Sequence, residues 1–300
     1  MKSFVFVIVS IFVISCSREK KQTKSQPEIL GIKDIIVDES FAPIIEDEYM
    51  VFRSSYPELD VNLTYKPEVQ LLNILLSDSI RIAIMSRELT KTEIERFEKK
   101  NIKIRTIPIA TDAIALITHK SNTDSTITLD EIKSIMKGNP TERNLVFDNP
   151  NSSTVRYLKE LTGVNELPKK GIYAFKSSAE VIKYAHNNPG TIGVIGINWM
   201  KQPPVELETL VDNLKTLAVK NFAGLPGADK FYKPNQNNLA IGVYALKRTL
   251  YIIDCQGGSS GTEFAAFIQG DIGQRIILKS GLLPDKIPTR EIIIRKTITP

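Results

Sequence analysis

Leu145-Val146-Phe147-Asp148-Asn149-Pro150-Asn151-Ser152-Ser153-Thr154-Val155-Arg156-Tyr157-Leu158-Lys159-Glu160-Leu161 contains three kinds of chain in succession. Residues 145–147 are a compact apolar run of strand character, residues 148–153 are polar, and apolar side chains then recur at helical spacing to Leu161. A strand that feeds a helix through a short polar loop is the repeating unit of α/β folds.

The same unit recurs on both sides. Toward the N-terminus, residues 32–37 form a β-branched run, residues 38–43 a loop, and a helix follows to about Arg53. Residues 59–65 alternate as a second strand, 69–76 have helical spacing, and 81–85 form a short strand ending at Ser86-Arg87. Thr90 with Glu93 makes a capping box for a helix to Lys100; Thr128 with Glu131 opens another that closes near Gly138. Residues 102–109 and 113–118 read as two strands with Asp112 between them. Beyond the opening segment, Ser177 or Ser178 caps a helix to His186, Asn187-Asn188-Pro189-Gly190 turns, and residues 192–197 return as a glycine-containing strand. Residues 239–244 and 250–254 are expected strands. Helices are expected from about Thr262 and from Asp271, with Asp271 and Gln274 as a capping pattern and Gly281 as the stop. Residues 201–231 have weak periodicity and suggest no function.

The first 26 residues follow different rules. An apolar run over residues 4–14 behind Lys2 is too short to span a bilayer and suits a secretory signal. It ends in Val13-Ile14-Ser15-Cys16, which resembles the lipobox of bacterial lipoproteins. That resemblance implies removal of residues 1–15, lipidation of Cys16, and a protein held on the outer side of a membrane in the cell envelope. Residues 16–26 are polar and charged, the composition of a tether. Residues 1–24 carry five Lys or Arg against one Glu, so about one unit of the net +5 belongs to the rest. A nearly neutral body argues against a nucleic-acid partner. The second cysteine, Cys255, then has no intrachain partner, so neither a disulfide framework nor a metal cluster is expected.

Three loops have the chemistry to hold an anion. The start of a helix offers unpaired N–H groups and partial positive charge, so a hydroxyl-bearing strand-to-helix loop can bind a tetrahedral oxyanion without lysine. Ser40-Phe41, Ser86-Arg87 and Ser152-Ser153-Thr154 occupy such loops, although serine and threonine also cap helices where no ligand binds. A further Ser260-Gly261-Thr262 is read as a surface turn beside Gly257-Gly258.

Several segments resemble the phosphate-binding proteins of bacterial ABC importers, a group of two-lobed periplasmic binding proteins. They are Ile107-Pro108-Ile109-Ala110-Thr111-Asp112-Ala113-Ile114-Ala115, Thr128-Leu129-Asp130-Glu131-Ile132, Asn188-Pro189-Gly190-Thr191-Ile192-Gly193, Gly270-Asp271-Ile272-Gly273-Gln274-Arg275 and Ser280-Gly281-Leu282-Leu283-Pro284. The resemblance runs from about Ile32 to Pro288. It implies an α/β fold of two lobes, each a central sheet flanked by helices and joined by two hinge strands. Lobe one would hold residues 27–112 and 239–300, lobe two residues 113–238, with crossings at 112–115 and 239–246. It further implies a monomer without cofactor that takes phosphate or a related oxyanion between its lobes and docks on an importer permease. The implied ligand loops are those of Ser40, Phe41, Ser86, Ser152, Ser153 and Thr154. Many relatives carry an arginine where Asp148 stands and some an aspartate where Ser86 stands. The two charges are therefore expected elsewhere: the cation from Arg87 or Arg156, the acceptor from Asp148 or Asp112. Another oxyanion or small organic acid, or an envelope sensor without transport, are the alternatives these departures motivate.

Enzymatic motifs are missing. His119 and His186 lack ligand spacing, and neither a Gly-x-Ser-x-Gly elbow nor a phosphate-binding Walker loop occurs. Glu46-Asp47-Glu48 reads as a solvated helix face, Cys255 as the end of a buried strand, and Trp199 as packing at a lobe surface. Cys16→Ser is expected to move the protein from the membrane fraction to the soluble one without altering its ligand affinity, as read by fractionation and calorimetry; a membrane-bound variant would refute lipid anchoring.

Overall fold

The computed structural model describes residues 33–288. The signal, Cys16 and tether expectations fall outside that range. The first lobe begins with β1 (Asp34–Asp38), a 3-10 turn at Glu39–Phe41, α1 (Ala42–Ser55), β2 (Asn62–Lys66), α2 (Glu68–Leu76), β3 (Ile82–Met85) and α3 (Lys91–Glu98). β1 lies between β2 and β3, parallel to both. Residues Ile35, Ile36, Val37 and all four of β3 are buried, the continuous apolar character of parallel strands covered on both faces. The expected Thr90–Glu93 capping box is formed at the start of α3.

β4 (Arg105–His119) then passes from one lobe to the other. The two strands read on either side of Asp112 are thus one strand of 15 residues. Asp112 does not interrupt it, because Arg248 of the neighbouring strand pairs with its Oδ2. The second lobe continues with β5 (Thr126–Thr128), α4 (Leu129–Met136), β6 (Asn144–Phe147), α5 (Ser153–Thr162), β7 (Ile172–Ala174), α6 (Ser178–Asn187) and β8 (Thr191–Gly196). Short elements follow: α7 (Asn198–Lys201), α8 (Glu208–Val211), β9 (Leu214–Thr216), β10 (Ala218–Lys220) and α9 (Gln236–Ala240). The chain returns to the first lobe through β11 (Lys247–Asp254), α10 (Ser259–Gln269), α11 (Asp271–Lys279) and β12 (Leu283–Pro284).

Strand pairing makes the two-lobed plan explicit. The order β2-β1-β3-β11-β4-β8-β6-β7 is one continuous ladder, with β12 and β9 also paired to β4. The first half of β4 pairs antiparallel with β11, and Ile114 to Ile117 of its second half with β8. A bulge lies where Pro108 meets Tyr251, where proline has no N–H to offer the ladder. One apolar core follows β4 from lobe to lobe, and a second covers the opposite face of the first lobe's sheet around Ile36, Met85 and Ile253.

Four other sequence expectations change in the first lobe and at its border with the second. The segment from Leu239 to Tyr244 is the end of α9 and a turn through Gly242, whose φ of +76° suits glycine; Tyr244 is held by donating to the Ile114 carbonyl at 2.7 Å. Asp271 does not cap α11; Gln274 instead donates to the carbonyls of Ile109 and Ile268 and anchors the helix to β4. Ser260-Gly261-Thr262 is the first turn of α10, where Gly261 faces Ile82 at the amino end of β3, away from Ser86. Glu48 does not face solvent: it is buried on the Ile44, Ile45 and Phe52 side of α1, and burial, reinforced by Asp47, pushes its carboxyl up to about 9.

Gly193 shows how closely the second lobe is packed. A Cβ there would stand 2.7 Å from Val181 of α6 and 2.9 Å from Ile117 of β4. Gly193→Ala should therefore lower stability by about 1–3 kcal/mol, the usual cost of overpacking, measured by chemical denaturation; an unchanged midpoint would contradict this packing.

Candidate functional site

In open α/β sheets, ligands bind beyond the carboxyl ends of the strands, where the loops gather. Here β1, β3 and β6 end at Asp38, Met85 and Phe147, and the loops that follow carry Ser40, Ser86 and Asp148 to Ser153. Ser152 caps α5 by accepting from the Val155 N–H, which sets Ser153 in the first turn. The Asp38 side chain accepts from the Ser40 N–H at 3.1 Å and stabilises the 3-10 turn that presents Ser40 and Phe41.

The lobes meet through these loops. The Ser40 hydroxyl is 3.3 Å from the Ser153 hydroxyl and donates to Asp148 at 3.3 Å. Asp148 also accepts from Thr154 at 2.7 Å, from Ser178 at 3.4 Å and from the Asn149 N–H at 3.0 Å. Arg248, at the start of β11, lies at the centre. Its Nε donates to Asp112 at 2.9 Å, and its Nη1 donates to Ser153 at 2.7 Å and to Ser86 at 3.4 Å. Its guanidinium stands 4.7 Å from the centroid of the Phe41 ring, and the Arg248 and Asp112 side chains are 2% and 0% exposed. Asp112 and Arg248 are cross-strand neighbours on β4 and β11.

At the rim, Arg156 of α5 clasps Glu68 of α2 with its Nε and Nη2, and Nη2 also donates to the Ser86 hydroxyl at 3.3 Å. A cavity of about 570 Å³ opens there, lined in part by Arg87, Ser152 and Arg156. Across the cleft, Glu39 accepts from the N–H of Ser178 at 3.2 Å. The Ser40 carbonyl accepts from Trp199 Nε1 at 3.0 Å and from Asn198 at 3.2 Å.

Carboxyl groups outnumber arginines in this region, and burial decides their protonation. Burial, aided by the neighbouring Glu68, pushes Asp38 up to about 7. Burial and then the facing Asp148 push Glu39 up to about 8. Asp112 is raised by burial while Arg248 pulls it down. Its Oδ1 has no hydrogen-bond partner among the described residues.

The profile of the PBP superfamily domain matches residues 22–271. The chain belongs to that superfamily. The phosphate-binding protein PstS of Borreliella burgdorferi is 26% identical to it over 303 residues, covering 92% of this chain and 98% of the relative. Among solved structures, an ABC-transporter substrate-binding protein from Clostridium perfringens with bound phosphate aligns with TM-score 0.69 at 22% identity over 84% of this chain and 99% of that one. An ABC-type phosphate transport receptor from Vibrio cholerae aligns at 0.60 and 20% identity over 84% and 98%.

For a PBP-superfamily chain, the placement of the expected residues is informative. Ser40, Ser86, Asp112, Asp148 and Ser153 come together with Phe41 around Arg248, and Thr154 stands behind Asp148. Ser152 keeps its capping role at the rim. Arg156 reaches Ser86 but is shared with Glu68 and Glu160, and Arg87 is turned to Glu93, which it holds at 2.7 and 2.8 Å. Trp199 is buried against Ser40, not at a lobe surface. Residue reading missed Arg248, Asp38, Glu39, Glu68 and Ser178. One signal was available for Arg248: two adjacent cations, Lys247 and Arg248, at the head of a strand whose middle, residues 250–253, is apolar.

The Glu39 shift predicts a pH dependence. Its folded value of about 8 lies above the ordinary 4.5, so the native state binds the extra proton between those values and stability falls as pH rises through them. Glu39→Gln keeps an acceptor for Ser178 and is expected to raise the melting temperature more at pH 8.5 than at pH 5. An equal effect at both would contradict a neutral Glu39.

Proposed function

We propose that this protein is an extracytoplasmic solute-binding protein that captures inorganic phosphate between its lobes and delivers it to an ABC importer, with a lipid on Cys16 and residues 17–26 as its tether. The observation that carries this reading is the convergence of the Ser40, Ser86 and Ser153 hydroxyls, from three strand-to-helix loops on two lobes, into one buried cluster. Hydroxyl donors and the start of α5 suit a tetrahedral oxyanion. Relatives named for phosphate binding, in both the sequence and the structure comparisons, support the same ligand.

Phosphate is favoured over sulfate because the cluster also contains acceptors. Asp112 Oδ1 and Asp148 can accept only from a ligand that carries a proton, which hydrogen phosphate does near neutrality and sulfate does not. The lobes comprise residues 27–112 with 239–300, and 113–238. They rotate where β4 and the segment before β11 cross between them, since a few backbone dihedrals suffice for hinge closure. The Ser40 and Ser153 hydroxyls already touch, so an ion between them must enter with the lobes apart; its contacts to both then favour the liganded closed form. No covalent bond changes.

Calorimetry with phosphate, sulfate and molybdate tests the reading. Micromolar phosphate binding with no sulfate signal is expected; equal sulfate binding would reassign the ligand, and silence with every anion would favour an envelope interaction protein. Ser153→Ala should weaken phosphate binding by about 1.5–3 kcal/mol, the worth of a hydrogen bond to a charged group.

A further inference from the structure

We propose that Arg248, and not Arg87 or Arg156, is the cationic ligand of the bound oxyanion, offered from β11 at the floor of the cleft, beside the point where β4 leaves the first lobe. This rests on the oxyanion reading of the cleft and specifies how that site holds charge. Three arginines come within reach of the hydroxyl cluster or its loops, and their engagements differ. Arg87 spends both terminal nitrogens on Glu93 and one of them also on the Glu88 carbonyl. Arg156 gives Nε and Nη2 to Glu68 and Nη1 to Glu160, and it lines the open cavity at the rim. Each therefore already has carboxylate partners and access to water.

Arg248 is built differently. Asp112 holds its Nε and Phe41 stacks near its plane, so the orientation of the fork is set from behind. Its outer edge points into the hydroxyl cluster: Nη1 touches Ser86 of one lobe and Ser153 of the other, while Nη2 is buried with no hydrogen-bond partner among the described residues. A buried donor left unpaired costs free energy, so one retained beside two exchangeable hydroxyl contacts is a group whose partner arrives with the ligand. A planar fork with two N–H groups facing outward matches two oxygens of a tetrahedral oxyanion. Because β11 pairs with β3 and with the first half of β4, the charge stays with Ser86 at the floor of the cleft while Ser153 approaches it from the second lobe. Arg156, on α5, moves with the second lobe, and Arg87, in the first, is held by Glu93. Asp112 Oδ2 positions Arg248 through Nε, and its Oδ1 stays available to a protonated ligand.

The test is phosphate calorimetry on the purified full-length protein beside Arg248→Lys, Arg248→Met and the double variant Arg87→Ala with Arg156→Ala, with melting curves to establish folding. Wild-type binding is expected, with a loss of about a hundredfold or more for Arg248→Met and about tenfold or more for Arg248→Lys. The double variant should stay within about tenfold of wild type, the span of a rim charge. Arg248→Met strands the Asp112 carboxyl, so Arg248→Met with Asp112→Asn supplies a second variant in which that burden is lifted; it should be as deficient in binding. In wild type, the Arg248 side-chain Nε resonance, assigned by its loss in Arg248→Lys, should shift on phosphate addition. Folded Arg248 variants that bind within about threefold of wild type, or a resonance that does not move at saturation, would overturn this assignment and leave the oxyanion reading standing. A wild-type protein that binds no phosphate, sulfate or molybdate would overturn both.

Discussion

The Arg248–Asp112 ion pair joins β11 to β4 at the point where β4 passes from one lobe to the other, and much of the cleft is arranged around it. A buried ion pair is seldom a source of net stability, since taking both charges out of water costs about what their attraction returns. Its value here is positional. Asp112 belongs to a strand whose first half pairs in one lobe and whose second half pairs in the other. Arg248, held by it, contacts the Ser86 hydroxyl of its own lobe and the Ser153 hydroxyl of the other.

The contacts between the lobes are of a kind that can be undone. Ser40 to Asp148, Glu39 to Ser178, Arg156 to Glu68, and Trp199 and Asn198 to the Ser40 carbonyl are all polar. Groups of that type recover hydrogen bonds to water when parted, whereas an apolar interface would resist separation. The apolar core instead follows β4 from lobe to lobe, so continuity of the chain and opening of the cleft are served by different parts of the molecule.

The concentration of carboxyl groups distinguishes this cleft from a simple basic trap for anions. Asp38 and Glu39 are held toward their neutral forms by burial and by other carboxyls nearby. A protonated carboxyl can donate as well as accept, so these two groups can make hydrogen bonds that a carboxylate could not.

Local order was the legible part. Capping at Thr90, Thr128, Ser152 and Ser177, the stops at Gly138 and Gly281, and the strand-loop-helix rhythm all follow from interactions between residues close in sequence. The hydroxyl loops were legible for the same reason, because the start of a helix makes its own anion-binding chemistry. Tertiary structure decided which groups share a site. That Asp112 and Arg248 pair depends on the antiparallel register of strands 136 residues apart, and Glu48, in an acidic run that reads as solvated, is buried because α10 and α11 return to cover α1. Hydrogen bonds within a few residues are written in the order of side chains; burial and charge pairing over long separations depend on where the whole chain brings its strands, and only the fold supplies that.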